Sequence, residues 1–214
     1  MNSTQLDALA AAFLTLGRLH LEPPTAETLA QLRELFTEWP LSEPEFLGDR
    51  ESPLPETADG LSQWAASFDA NETPEAIRRD LDLLYGVTAT AKVPPFESVH
   101  RGDDHLVFDA ETLEVRAEYR SAGFEAPMLN REPDDHVGLE FDFVAQLLVR
   151  ALTARENDVD DADILAKVSD FHANHLEKWA PEMLANAAEA ADTHFMTGLE
   201  LLSLAALKEL AAAL

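Results

Sequence analysis

The chain contains no cysteine, and this absence excludes several classes of site at once. Disulfide bridges, thiolate-bound zinc and cysteine nucleophiles all need a thiol. The Gly-x-Gly-x-x-Gly and Gly-Lys-Ser/Thr loops that hold nucleotide phosphates are absent as well. There is also no Gly-x-Ser-x-Gly elbow of the kind found in serine hydrolases. The sequence therefore shows no catalytic motif, and we predict no catalytic residues, no metal site and no cofactor.

Basic residues are few, with 15 lysines and arginines against 41 acids and a formal net charge of -26. Because phosphate binding needs a basic stripe and the arginines here are scattered, we predict that nucleic acid is not a partner. The acidic excess is too large for one binding patch and describes the whole surface. Such self-repulsion is screened in strong salt, where the Debye length falls to about 3 Å at 1 M. The composition is therefore typical of an acidic, halophilic protein.

Long apolar runs are also missing. No run approaches the length of about 20 residues that spans a bilayer, so we expect no stable membrane insertion. Residues 9–16 are apolar, but Asp7 interrupts the approach and no basic residue precedes them, so we interpret them as part of a first helix and not as a signal peptide. This interpretation predicts a cytoplasmic protein. A chain of 214 residues with 46% apolar side chains is in the size range of one domain, residues 1–214.

Apolar residues recur at helical spacing along almost the whole chain. The pattern predicts a first helix over residues 3–19, a short helix around residues 61–68 and a long middle helix over residues 133–155. Only residues 106–108 have the character of a short extended piece. The sequence therefore predicts an all-α fold, a single-domain bundle of about nine to eleven helices.

Local signals place several helix ends. Thr25, Thr73 and Asp109 are capping residues at predicted helix starts, and Pro74 follows Thr73 at the first helical position. Gly123 is well placed to end a helix in a left-handed turn.

Two polar stretches between helices are far more particular than the rest of the chain. Residues 94–101 read Pro-Pro-Phe-Glu-Ser-Val-His-Arg, and the proline pair keeps the segment extended. Residues 132–140 read Glu-Pro-Asp-Asp-His-Val-Gly-Leu-Glu, in which the proline is expected to open the long middle helix. Asp134 and Asp135 would then lie in its first turn, where the helix dipole favours negative charge. Gly138 leaves space for a neighbouring backbone. We expect the two stretches to form the walls of one cleft.

The histidines and acids leave a metal-binding interpretation open. Glu97 and His100 form the one Glu-x-x-His spacing in the chain, whereas a di-iron bundle needs two such pairs. His136 and Glu140 are one turn apart and could share a metal, and His172 and His175 form another close pair. No set of four ligands is spaced convincingly. A helical metal-binding protein therefore remains an alternative to a peptide-binding protein.

Together with residues 175–181, which read His-Leu-Glu-Lys-Trp-Ala-Pro, the two stretches resemble the three signature regions of the TorD/DmsD/NarJ chaperones. Their order, their separations and the length of the chain are also similar to that family. The resemblance implies a TorD-like fold and a cytoplasmic, non-enzymatic chaperone for redox-enzyme maturation. It also implies binding to the twin-arginine signal peptide and to the catalytic subunit of a molybdoenzyme, such as a dimethyl sulfoxide, trimethylamine N-oxide or nitrate reductase. Cofactor insertion would then precede export. Members of the family occur as monomers and as domain-swapped dimers. Because some relatives bind guanine nucleotides, the resemblance also implies a second alternative, a nucleotide-dependent assembly factor, although no phosphate loop in the sequence supports it.

A twin-arginine peptide presents two guanidinium groups followed by an apolar run, so its receptor should offer carboxylates beside an apolar groove. The candidate peptide-binding residues lie in the three signature regions. They are Pro95, Phe96, Glu97, Ser98, His100, Arg101, Glu132, Pro133, Asp134, Asp135, His136, Glu140 and Trp179. We expect Phe96, Phe124, Leu139 and Trp179 to line the groove. Members of the family often carry tyrosine at the positions of Phe96 and His100, so the local hydrogen bonding differs here.

Each of these residues also has a purely structural interpretation. Phe96 and Trp179 would serve as core anchors, and Arg101 would pair with Glu97 or with an acid of the second stretch. Glu140, one turn after His136, would hold the imidazole in place.

Overall fold

The computed structural model describes residues 1–86, 90–126 and 133–214. These residues contain eleven α-helices and three short 3-10 helices, and no strand longer than an isolated bridge. The α-helices are α1 Ser3–Leu21, α2 Ala26–Leu35, α3 Pro44–Leu47, α4 Pro55–Ala70, α5 Pro74–Tyr85, α6 Glu97–Arg101, α7 Ala110–Ser121, α8 Val137–Glu156, α9 Ala162–Asn174, α10 Ala180–Ala190 and α11 His194–Ala213. The 3-10 helices are Phe36–Glu38, Pro40–Ser42 and Leu176–Lys178. The prediction of an all-α bundle is confirmed.

The helix caps are formed by the residues that the sequence indicated. The side chains of Thr25, Thr73 and Asp109 accept hydrogen bonds from backbone N–H groups at the starts of α2, α5 and α7. Gly123 follows α7 with a φ of 76°, a left-handed conformation that costs glycine little.

Three predictions about secondary structure need correction. The short helix expected around residues 61–68 is part of the 16-residue helix α4. Residues 106–108 are not extended, since Phe108 has a φ of 65° and lies in a turn before α7. The long middle helix begins at Val137 and not at Pro133, and its N-cap is His136, whose Nδ1 accepts a hydrogen bond from the Gly138 N–H at 3.0 Å.

The late start of α8 moves two acids out of the helix. Asp134 and Asp135 lie in a turn before it, so the prediction that they occupy its first turn is wrong. The physical reason is that His136 is paired in extended conformation with residues 95–97 and is not available to continue a helix towards Pro133.

Helices α1 and α8 cross at two glycines. A Cβ atom on Gly17 would lie 2.9 Å from the carbonyl oxygen of Gly138, and a Cβ atom on Gly138 would lie 2.8 Å from the carbonyl oxygen of Gly17. The two backbones are therefore in direct contact, as predicted for Gly138. This contact brings the C-terminal end of α1, with His20 and Leu21, against the N-terminal end of α8.

The core lies between these two helices and α11. Phe13 of α1 and Phe141 of α8 are fully buried, with ring centroids 4.8 Å apart. Trp64 of α4 stacks on Phe195 of α11 at 5.5 Å and is also fully buried. None of the helices in the described ranges combines the length and apolar content that crossing a membrane requires.

Candidate functional site

The two polar stretches meet in an antiparallel bridge between Phe96 and His136. The Glu97 N–H donates to the Asp135 carbonyl at 3.0 Å, and the Val137 N–H donates to the Pro95 carbonyl at 2.9 Å. Phe96 and His136 thus form a non-hydrogen-bonded pair, in which the two side chains come close together. Their ring centroids are 5.2 Å apart, edge to face. The structure therefore brings the two stretches together into one wall.

Asp135 ties this wall to helix α7. One of its carboxylate oxygens accepts the Ser98 N–H at 2.7 Å, and the other accepts the Thr112 hydroxyl at 2.7 Å. The Asp135 side chain is fully buried. Its bonds are charge-assisted, which makes them about twice as strong as bonds between neutral groups.

Asp134 is held by the same helix. Its carboxylate accepts the Arg116 Nε–H at 2.6 Å, and its backbone carbonyl accepts the Tyr119 hydroxyl at 3.0 Å. Asp134 is fully buried, while Arg116 reaches it from a partly exposed position. Both aspartates therefore position the chain that enters α8.

Glu97 is the centre of a second ion-pair group. Arg101, one turn along α6, donates to its carboxylate, and His175 Nδ1 donates to it at 2.9 Å. His100 stacks on Trp179 with ring centroids 5.4 Å apart and donates through Nε2 to the Pro94 carbonyl at 2.7 Å. The third signature region is thereby joined to the first.

Glu140 lies inside this arrangement without an ion-pair partner among the residues that the structure describes. Its side chain is fully buried, and neither carboxyl oxygen makes a hydrogen bond of ordinary geometry there. Burial, and then the negative charges of Glu97 and Asp135, raise the pKa of Glu140 well above its usual value. Burial therefore favours the protonated form of this carboxyl. The alternative that Glu140 holds the His136 ring does not apply, because neither Glu140 carboxyl oxygen has a hydrogen-bond partner among the described residues and His136 Nδ1 accepts the Gly138 N–H.

The bridge forms one side of a cavity of about 410 Å³, which we call the main cavity. Its other sides are the end of α1, the end of α5 and the start of α8. The lining residues are His20, Leu21, Leu81, Tyr85, Gly86, Pro95, Phe96, Pro133, His136 and Leu139. No carboxylate is among them, so the described wall of this cavity is aromatic, aliphatic and imidazole in character.

A buried hydrogen-bond chain fixes the rings on the α1 and α5 sides of the main cavity. His20 Nδ1 and the Tyr85 hydroxyl are 2.6 Å apart, and the Tyr85 hydroxyl donates to Glu200 of α11 at 2.7 Å. His20 Nε2 lies 2.8 Å from the Ser203 hydroxyl, also on α11. Since Tyr85 donates to Glu200, it accepts from His20 Nδ1–H, and His20 Nε2 accepts from Ser203. Burial raises the pKa of Glu200 to about 8.

Both histidines in the main cavity are neutral at neutral pH. Burial lowers the pKa of His20 to about 3 and that of His136 to about 4. Because His136 Nδ1 accepts the Gly138 N–H, the proton of the neutral ring is on Nε2. The described lining of the main cavity thus offers an imidazole N–H donor and carries no positive charge that would repel a cationic ligand.

The candidate residues named from the sequence fall into four groups. Pro95, Phe96, Pro133 and His136 line the main cavity. Glu97, Ser98, Asp134, Asp135, Glu140 and Trp179 are buried behind it, at 0 to 2% exposure, while His100 and Arg101 are half-buried. Glu132 lies outside the described residues.

Sequence reasoning missed the residues that α1 and α5 contribute. His20, Leu21, Leu81 and Tyr85 are far from either stretch along the chain, and no local motif marks them. One signal was available: His20 is a polar residue at the end of an otherwise apolar helical face, and such a side chain needs a partner when it is buried.

No group of three or more histidines and acids in the described part of the chain is arranged to hold a metal ion. The His136, Glu140 and His172/His175 set of the metalloenzyme alternative is therefore not assembled. Both ring nitrogens of His172 are buried without a hydrogen-bond partner in those same ranges, and burial lowers the pKa of His172.

Comparison with known proteins identifies the family. The family described as "Nitrate reductase delta subunit" matches residues 48–185, well over half of the chain. The chain is 24% identical over 136 residues to the chaperone protein TorD of Vibrio parahaemolyticus, a match that covers 64% of this chain and 63% of TorD, somewhat less than two thirds of that protein's length. It is 28% identical over 184 residues to the Tat proofreading chaperone DmsD of Salmonella typhi, covering 84% of this chain and 78% of DmsD. The resemblance noted in the three signature regions is therefore confirmed: the chain belongs to the nitrate reductase delta subunit family, which includes the TorD and DmsD chaperones.

Proposed function

We propose that this protein is a maturation chaperone that binds the twin-arginine leader of a molybdoenzyme subunit through the main cavity. It keeps the precursor in the cytoplasm until the cofactor is inserted, and it catalyses no reaction itself. The observation that carries this proposal is the main cavity of about 410 Å³ at the junction of the two polar stretches. The family membership and the names of the relatives support it.

The apolar run of the leader is the part that suits the main cavity. Leu21, Leu81, Phe96 and Leu139 offer apolar surface there, and each 100 Å² that is buried contributes about 2.5 kcal/mol before the cost of association. His136 Nε2–H supplies a hydrogen-bond donor for a backbone carbonyl of an extended peptide. A pocket with apolar walls and a few fixed polar groups is the usual form of a ligand site.

The buried carboxylates have a different role in this proposal. Glu97, Asp134 and Asp135 are engaged with internal partners and fully buried, so in this structure they do not face the main cavity. They position the cavity wall: Asp135 joins both polar stretches to α7, and Glu97 joins them to the third signature region. A preformed wall lowers the entropy cost of binding a flexible leader.

Calorimetry with a synthetic peptide tests the proposal. The peptide carries an Arg-Arg pair followed by a leucine-rich run, and a second peptide has the leucines replaced by serine. We expect the first peptide to bind and the second to bind at least tenfold more weakly, because about 1.4 kcal/mol of lost apolar burial is a tenfold change.

The chain offers a matched pair of control variants. Leu21 lines the main cavity and is 38% exposed, whereas Leu83 is 37% exposed and is not part of that lining. Leu21→Gln should weaken the leucine-rich peptide severalfold, and Leu83→Gln should leave its affinity unchanged. Equal effects of the two substitutions would show that the peptide binds elsewhere.

A further inference from the structure

We propose that a second, smaller cavity next to the main cavity binds a guanidinium group of the leader, with Asp142 and Glu125 as its carboxylates. This inference rests on the proposed function, since it assigns the place of an arginine in the same peptide. The structure suits such an assignment because the acids nearest in sequence to the cleft, Asp134 and Asp135, are buried and already bonded.

The second cavity, which we call the side cavity, has a volume of about 50 Å³. It is lined by Tyr119, Phe124, Glu125, Ala126, Leu139, Asp142, Phe143 and Gln146. Leu139 also lines the main cavity, so the two cavities share a wall. A volume of this size admits the head of one side chain and excludes a folded segment.

The position of the side cavity follows from the geometry of α8. Residues 139, 142, 143 and 146 are spaced i, i+3, i+4 and i+7, so they lie on one face of the helix. Asp142 and Phe143 therefore lie about one helical turn, or about 5.4 Å, along α8 from Leu139, where the two cavities share a wall. An extended peptide covers that distance with about two residues. This offset matches a leader in which the apolar run closely follows the arginines.

The chemistry of the walls favours guanidinium. Tyr119 and Phe143 pack at 4.7 Å between ring centroids, and Phe124 meets Phe143 edge to face at 5.7 Å. The Arg150 guanidinium already lies 3.8 Å from the centroid of Phe124 and donates to the Ala122 carbonyl at 2.6 Å. This aromatic surface thus holds a guanidinium group of the protein itself, as planar cations stack on aromatic faces.

Two carboxylates are left to meet a second cation. Asp142 accepts one long hydrogen bond, from Gln146 at 3.4 Å, and Glu125 is exposed. Neither forms an ion pair with any residue in the described ranges. Among the described residues at the side cavity, Asp142 and Glu125 are acidic and Arg150 is the neighbouring cation, so their charges sum to about -1 and favour one added guanidinium.

The experiment measures the affinity of three synthetic leader peptides that differ only at the pair, Arg-Arg, Lys-Lys or Ala-Ala. The titrations use the lowest KCl concentration at which circular dichroism shows full helicity. We expect Asp142→Asn to weaken the Arg-Arg peptide about threefold to fivefold and to leave the Ala-Ala peptide unchanged, since a partly exposed ion pair contributes this much. Lys-Lys should bind more weakly than Arg-Arg to the wild-type protein. Glu125→Gln should act in the same direction as Asp142→Asn, and Asp170→Asn, an exposed acid of α9, is the control.

The outcomes separate the two proposals. If the wild-type protein binds the Arg-Arg and Ala-Ala peptides equally, or if Asp142→Asn weakens both to the same extent, the guanidinium assignment is overturned while the leader still binds in the main cavity. If the wild-type protein binds none of the three peptides, both proposals fall.

Discussion

Replacement of Glu140 by glutamine tests whether this buried carboxyl carries a proton in the folded protein. Its side chain is fully buried, and burial together with the charges of Glu97 and Asp135 raises its pKa well above 4.5. The folded state then keeps a proton that the unfolded state releases as the pH rises above 4.5. Folding stability is therefore lost with rising pH, from 4.5 upward, until the pH passes the pKa of the folded state.

The size of the effect follows from this linkage. Each pH unit in that range costs the wild-type protein about 1.4 kcal/mol of unfolding free energy. Glutamine is neutral at every pH and has nearly the same shape, so Glu140→Gln removes this cost. We expect the stability difference between variant and wild type to grow in favour of the variant by about 1.4 kcal/mol per pH unit above 4.5. A constant offset from the new amide group would not alter this slope.

Urea unfolding followed by far-UV circular dichroism, at fixed KCl between about pH 5 and pH 9, measures the difference. His20 and His136 change the stability in the opposite direction. Their pKa values of about 3 and about 4 in the folded state cause stability to be lost as the pH falls below 6.5. The comparison with the variant cancels their contribution.

Two further variants are controls for the Glu140 experiment. The unfolding free energy of Glu200→Gln, relative to that of the wild type, should rise with the same slope, but only up to about pH 8, where the pKa of Glu200 lies. Glu114→Gln changes an exposed side chain and should show no slope. A flat difference for Glu140→Gln would mean that the carboxyl is ionised in the fold, and the reasoning would be refuted.

The remaining predictions concern stability. Asp135→Asn should lower the unfolding free energy measured in urea by about 2 to 3 kcal/mol, because its NH2 group would face the Ser98 N–H or the Thr112 hydroxyl, which both donate to Asp135. The control Asp104→Asn changes an exposed side chain and should cost nothing measurable. Gly138→Ala should cost about 1 to 3 kcal/mol, since its Cβ would lie 2.7 Å from the Leu21 Cγ and 2.8 Å from the Gly17 carbonyl oxygen; a cost as small as that of a surface substitution would show that α1 and α8 are not in backbone contact. Increasing KCl from about 0.1 M to about 2 M should raise the unfolding free energy, because 41 acids face 15 bases; unchanged stability over this range would contradict the halophilic interpretation.

The fold was largely predictable because its signals are local. The capping side chains of Thr25, Thr73 and Asp109 bond to backbone groups within three residues, so the sequence alone shows them. The start of α8 was not predictable in this way. It depends on the pairing of His136 with Phe96, which are 40 positions apart, and that pairing overrides the preference of Pro133 for a first helical turn.

The candidate site was predictable in its two polar stretches but not in the exposure of their side chains. A run of acids normally lies on a solvated surface, yet Asp134 and Asp135 are buried because Arg116, Thr112 and Ser98 supply donors. Two of those donors are on α7, and nothing in the sequence links that helix to these aspartates. Likewise, the contact of Gly17 with Gly138 brings His20 and Leu21 into the main cavity.

Several sequence-based expectations stay predictions. They include the organisation of residues 1–214 as a single domain and the oligomeric state of the protein, a monomer or a domain-swapped dimer. The role of the thirteen candidate residues in peptide binding is a third.

The most direct test of the central claim is a photocrosslinking measurement. The Arg-Arg peptide is made with benzoylphenylalanine in its apolar run, irradiated with the full-length protein, and the crosslinked positions are mapped by mass spectrometry. The account predicts crosslinks to main-cavity residues such as Leu21, Leu81 and Leu139. Crosslinks found only at exposed apolar residues outside that cavity, such as Leu106 and Leu113, would contradict it.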